Sequence, residues 1–215
     1  METTLNTSTQ NGWKIATGLA VFTVLYNIGE GLVSLYFGAH DEALTLAGFG
    51  VDSFIEVISG LGILAMITRL RRYGSAERGR SEKLALQITG SCFYVLVVGL
   101  LLGAGISIWK SQQPETTVAG IIVSVLSIVI MRLLASWKIR TGKQLRSASI
   151  IADGKCTMVC VYMSVVLLVS SVLYALVHLP FIDAAGMLGL AWFSFKEGQE
   201  SFEKAKDNAT CCDHC

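Results

Sequence analysis

Residues 43–67 read ALTLAGFGVDSFIEVISGLGILAMI, a segment long enough to cross about 30 Å of hydrocarbon as a single helix. Its only ionisable groups are Asp52 and Glu56. A spacing of four residues puts both carboxyls on one helix face, one turn apart. Like charges in a low dielectric repel, so such a pair persists by sharing a proton or a cation. The plain alternative is a carboxyl–carboxylate hydrogen bond that only joins helices, at the expense of two groups that are costly in a bilayer.

The rest of the chain agrees with a membrane setting. Of 215 residues, 53% are hydrophobic and 15% charged, with a mean hydropathy of +0.58; a soluble domain carries about a quarter charged residues. The 17 basic residues are balanced by 16 acidic ones, which excludes a strongly basic nucleic-acid binder. Two prolines exclude a Pro-rich linker protein. The expected fold is all-α and polytopic, with six transmembrane helices near 14–37, 43–67, 84–108, 117–137, 147–176 and 181–196. The third, from Leu84 to Trp109, has no ionised side chain. The sixth is the shortest and runs into an amphipathic stretch from Phe195 to Lys206.

Basic residues set the orientation. Arg69, Arg71, Arg72, Arg78, Arg80 and Lys83 fall between the second and third spans, and Lys138, Arg140, Lys143 and Arg146 between the fourth and fifth. By the positive-inside rule these connections, and hence both termini, face the cytoplasm. Residues 1–12 lack the pattern of a signal peptide. They read as a cytoplasmic tail, 13–206 as the transmembrane domain and 207–215 as a second tail, in a multi-pass protein of the plasma (inner) membrane if the source is prokaryotic.

The other intramembrane ionisable residues are Glu30, Arg132, Asp153 and Lys155, with Asp183 near an edge. Arg132 and Lys155 have side chains long enough to snorkel to the cytoplasmic face. Asn27 and Glu30 share a face of the first helix and read as a supporting pair, a proton stop, or an interhelical hydrogen-bond pair. Glycines 29, 31, 48, 50, 60 and 62 leave room for close helix approach. Cys156 and Cys160 repeat the four-residue spacing in sulfur. With Asp52 and Glu56 they supply four donors, enough for a tetrahedral site around zinc or a softer relative such as cadmium. Counting about 1.5 Å per residue from the outer helix ends puts the acids roughly 13–20 Å down and the thiols roughly 21–27 Å, an incomplete overlap. Cys92, alone in the third helix, reads as packing. The tail Cys211-Cys212-Asp213-His214-Cys215 is a candidate for partial metal coordination, or an end with incidental thiols.

Two stretches carry a resemblance. Gly48 to Ser59, with Asp52 and Glu56, resembles the second-helix signature of the cation diffusion facilitator family, and Ser149 to Cys160, with Ala152-Asp153-Gly154-Lys155-Cys156, resembles its fifth-helix signature. Asp183-Ala184-Ala185 and Phe195-Lys196-Glu197-Gly198 are similar to its last span and exit helix. The resemblance implies that Asp52, Glu56, Cys156 and Cys160 are transport-site ligands; from their own positions Asn27, Glu30 and Asp153 are candidates for places behind them or on a proton path. It further implies a homodimer exporting a divalent transition metal from the cytosol in exchange for protons. The chain departs from the family pattern: the ligand positions hold no histidine, cysteines replace both fifth-helix ligands, Phe49 stands for an acid, and no cytoplasmic metal-binding domain follows the sixth span.

Thiols favour soft cations over magnesium or manganese, and two retained carboxylates favour zinc or cadmium over cuprous copper. Each ligand must lose its proton to bind metal, so binding releases protons. The metal is thus substrate rather than prosthetic group, and the expected protein is a transporter, not an enzyme. Two rivals are a non-transporting metal-sensing membrane subunit and a thiol oxidoreductase using Cys156 and Cys160; a disulfide one helical turn apart would strain the helix.

Overall fold

The computed structural model describes residues 2–40, 44–73, 78–110, 118–177 and 182–210. They form six helices: α1 Glu2–His40, α2 Leu44–Tyr73, α3 Arg78–Lys110, α4 Val118–Leu145, α5 Ala148–Val177 and α6 Ile182–Thr210. Only Arg146 and Ser147, among the described residues, are not helical. Among the described residues, five segments are long and apolar enough to cross a membrane: Gln10–Phe37, Phe49–Tyr73, Arg78–Ile106, Ile121–Leu145 and Ala148–Val166. Charge in the second half of α6 keeps it from joining them, as its shorter apolar stretch foreshadowed.

The helices are inside out relative to a soluble bundle. Thr23, Asn27, Glu30 and Ser34 recur at helical spacing along the buried side of α1, while Leu25, Leu32, Val33 and Tyr36 are exposed. On α4 the buried positions include Ser127, Lys138 and Thr141, and the exposed ones Ile122, Val125, Leu126, Val129, Leu133 and Trp137. Apolar side chains facing outward at nearly every turn are soluble only in lipid, and polar groups facing inward must find partners there.

The helices pair as α1 with α2, α4 with α5, and α3 with α6. Glycine makes two of these contacts possible. A Cβ on Gly50 would stand 3.0 Å from the Gly31 carbonyl oxygen and 3.0 Å from the Leu35 nitrogen, so α1 and α2 touch backbone to backbone. Between α4 and α5, a Cβ on Gly154 would stand 3.1 Å from both the Ile139 nitrogen and the Lys138 Cβ. Gly29, by contrast, faces open space and serves no contact.

Several expected boundaries shift. Residues 138–146 are not a loop: α4 continues to Leu145 and turns into α5 through Arg146, which has φ of 50°. The Ser147 amide donates to the Gly142 carbonyl at 2.9 Å, and Arg78 donates to the Leu145 carbonyl at 2.7 Å and the Arg146 carbonyl at 3.1 Å. Those bonds satisfy carbonyls that a helix end leaves open and hold a conformation that glycine would adopt more cheaply. The terminal segments expected as tails also continue the helices, α1 from Glu2 and α6 to Thr210. Trp13, Ala16 and Ala20 pack with Ile63, Met66, Ile67, Leu145 and Ile150, which gives the start of α1 a core to grip.

Candidate metal centre

Asp52 and Glu56 of α2 point into the bundle, 4% and 1% exposed. Facing them from α5 are Thr157 and Cys160. The Thr157 hydroxyl donates to Glu56 Oε1, and Cys160, three residues on, shares that face of α5. The Thr157–Glu56 contact shows that this part of α5 lies level with the acids of α2, although α5 runs on to Val177.

The two cysteines turn to different neighbours. Cys160 Sγ faces the acids and also donates weakly to the Cys156 carbonyl at 3.7 Å. Cys156 sits in an apolar cluster with Phe93, Leu96 and Leu100 of α3, Val159 of α5, and Leu190 and Ala191 of α6. Both thiols are free and buried. Among the described residues, no three Cys, His, Asp or Glu side chains stand close enough to share an ion. The donors are gathered on facing helices rather than closed into a cage. Glu56 Oε2 is buried without a hydrogen-bond partner, so one oxygen of that carboxyl stands uncommitted.

A cation already lies beside them. Lys138 is 1% exposed; its Nζ stands 2.8 Å from Asp153 Oδ2 and 3.8 Å from Glu56 Oε1, and donates to Thr157 Oγ1 at 2.9 Å. Ser59 donates to Asp153 Oδ1 at 2.7 Å and contacts Thr89 Oγ1 of α3 at 3.1 Å. One network therefore joins four helices, and Asp153 is a structural partner of Lys138 and Ser59. Sequence reasoning placed Lys138 in a cytoplasmic loop. The missed signal is the helical spacing of Met131, Leu134, Ala135, Lys138, Thr141 and Leu145, all buried.

Behind the site, Glu30 accepts from Tyr26 OH at 3.0 Å and from Ser53 Oγ at 3.1 Å, tying α1 to α2. Asn27 donates to the Thr23 carbonyl at 2.9 Å while its Oδ1 is unpartnered. Arg132 lies exposed on α4, within 3.4 Å of Met158 Sδ. Lys155 is not a solitary snorkelling side chain: it bridges to Glu197 at 2.8 Å and Glu200 at 2.9 Å on α6. The tail group Cys211, Cys212, His214 and Cys215 lies outside the described residues.

Glu200, beyond the expected sixth span, is held down at about 2 by hydrogen bonds from Lys204 and Lys155. A carboxyl lowered in the fold stabilises it above the unfolded value, ordinarily 4.5, and that contribution is lost as pH falls toward about 2. Because Glu200 is 43% exposed, the effect is screened to roughly 1 kcal/mol or less. Thermal unfolding of Glu200→Gln should therefore lie slightly below wild type at neutral pH, with the gap closing on acidification.

Residues 20–207 match the family model described as the cation efflux transmembrane domain, across all six helices. The chain belongs to the cation efflux family. It is a multi-pass membrane protein whose family exports metal cations; the family consists of transporters rather than enzymes. In this cation efflux protein Asp52 and Glu56 lie on α2, and Cys156 and Cys160 on α5.

Proposed function

We propose that this cation efflux protein exports a soft divalent cation, zinc or cadmium, from the cytosol in exchange for protons. Asp52, Glu56 and Cys160 are the principal ligands, and Cys156 is the fourth, reached when its side chain turns from the α3–α6 cluster. The observation that carries this reading is a pair of buried carboxyls on α2 met by Thr157 of α5, with Cys160 three residues on along the same face and one Glu56 oxygen uncommitted. A mixed sulfur and oxygen donor set suits zinc and cadmium and disfavours magnesium and manganese.

Binding to deprotonated ligands releases protons, and reprotonation from the opposite side expels the metal, so exchange follows from the ligands themselves. The basic residues at Arg69, Arg71, Arg72, Arg140 and Lys143 support cytoplasmic termini. A homodimer is the family's implication for assembly.

Reconstituted into liposomes enclosing a fluorescent metal indicator and a pH dye, the protein should move zinc or cadmium with opposite proton flow. Asp52→Ala should lower that flux by about a hundredfold, the loss of one charged ligand from a site of few donors. Undiminished flux in Asp52→Ala would place the site elsewhere.

A further inference from the structure

Lys138 has no part in the ligand set, yet its ammonium is buried at the side of Glu56, where a divalent cation would also have to sit. We propose that Lys138 is a tethered cation that competes with the transported metal for Glu56 and withdraws onto Asp153 when the metal binds.

The geometry supplies both acids, with the ammonium resting on Asp153 and Glu56 next to it. Nζ stands 3.8 Å from Glu56 Oε1 and 2.8 Å from Asp153 Oδ2, with Thr157 Oγ1 accepting from it at 2.9 Å and donating to Glu56. A shift of the ammonium by a fraction of an ångström changes which carboxylate it compensates. Asp153 is fixed for its part by Ser59, at 2.7 Å, and by its place on α5 next to the close contact at Gly154. Two neighbouring cations repel strongly where water cannot screen them. Metal at Glu56 therefore keeps the ammonium on Asp153, where it rests in the structure, and without that repulsion the ammonium can lean toward Glu56. The lysine thereby weakens binding enough for release, which a transport site needs.

This inference rests on the transport site proposed above, and its test separates the two. Cadmium binding to the full-length protein in nanodiscs is measured by isothermal titration at fixed pH and ionic strength. Lys138→Met should tighten binding by about tenfold or more, because it removes a cation a few ångströms from the bound ion. Lys138→Arg keeps the charge and should stay within about threefold of wild type. Asp153→Asn removes the place of withdrawal, drives the ammonium onto Glu56, and should weaken binding about tenfold. In the Lys138→Met background the same Asp153→Asn change should have no weakening effect, a non-additive cycle.

An equal loss from Asp153→Asn with and without Lys138 would overturn the inference, since Asp153 would then act on the metal directly. So would weaker binding in Lys138→Met, which would make Lys138 a support for the ligands. Should Lys138→Met fail to fold, Asp153→Asn alone decides: binding at wild-type strength overturns the proposal. Absence of cadmium binding by wild type, or binding untouched by Asp52→Ala, would sink the transport site itself.

Discussion

Cys160→Ala is expected to cut cadmium flux by about a hundredfold, whereas Cys156→Ala costs about tenfold or less. The difference follows from where the two thiols stand. Cys160 lies three residues beyond Thr157, which bonds Glu56, and so shares the face of α5 turned toward the acids; its loss removes the soft donor on that face. Cys156 packs among Phe93, Leu96 and Leu100, so any coordination by its thiol competes with that packing. Losing it removes a donor whose recruitment already carries a packing cost. Selectivity should move with flux: Cys160→Ser keeps the size but hardens the donor, and the ratio of cadmium to manganese transport should fall. Competition assays on liposomes with each ion report that ratio, and equal sensitivity of flux to both cysteines would contradict the geometry described.

Gly154→Leu is expected to destabilise the protein by about 3 kcal/mol or more and to abolish metal binding. Even a Cβ at that position would stand 2.8 Å from Ile139 Cγ1 and 3.1 Å from the Ile139 nitrogen, and a backbone atom cannot step aside as a side-chain tip can. The helices α4 and α5 would have to separate, and the 2.8 Å contact between Lys138 and Asp153 would open with them. An unpartnered charge at that depth costs several kcal/mol. Thermal denaturation in detergent and cadmium titration measure both effects. Gly99→Leu is the control, because nothing stands within 4 Å of its Cβ position and the added side chain enters lipid. A stable, metal-binding Gly154→Leu would show that the α4–α5 contact is looser than it stands here.

The two predictions depend on different kinds of information. Asp52 and Glu56 were legible in the sequence because two acids in an apolar segment are costly and their spacing fixes their common face. Cys156 and Cys160 were legible as a pair, but spacing alone assigns two residues one turn apart to a shared face. It does not say which neighbour each side chain meets. That depends on how α3 and α6 close over α5, a matter of packing between distant segments. Lys138 was misplaced for a related reason. Its charge was read as a boundary signal, when the buried periodicity of α4 continues through it to Leu145.

Hydropathy and spacing along the chain were enough to establish six helices, their membrane setting and the acid pair, because a lone helix satisfies its own backbone and its burial in lipid is a property of its own residues. The partners were decided only by tertiary structure: Thr157 at Glu56, Lys138 between two acids, Lys155 on α6. Side-chain contacts between helices depend on register and rotation, which close approach at Gly31, Gly50 and Gly154 sets to within an ångström. Neither quantity is written in any one helix.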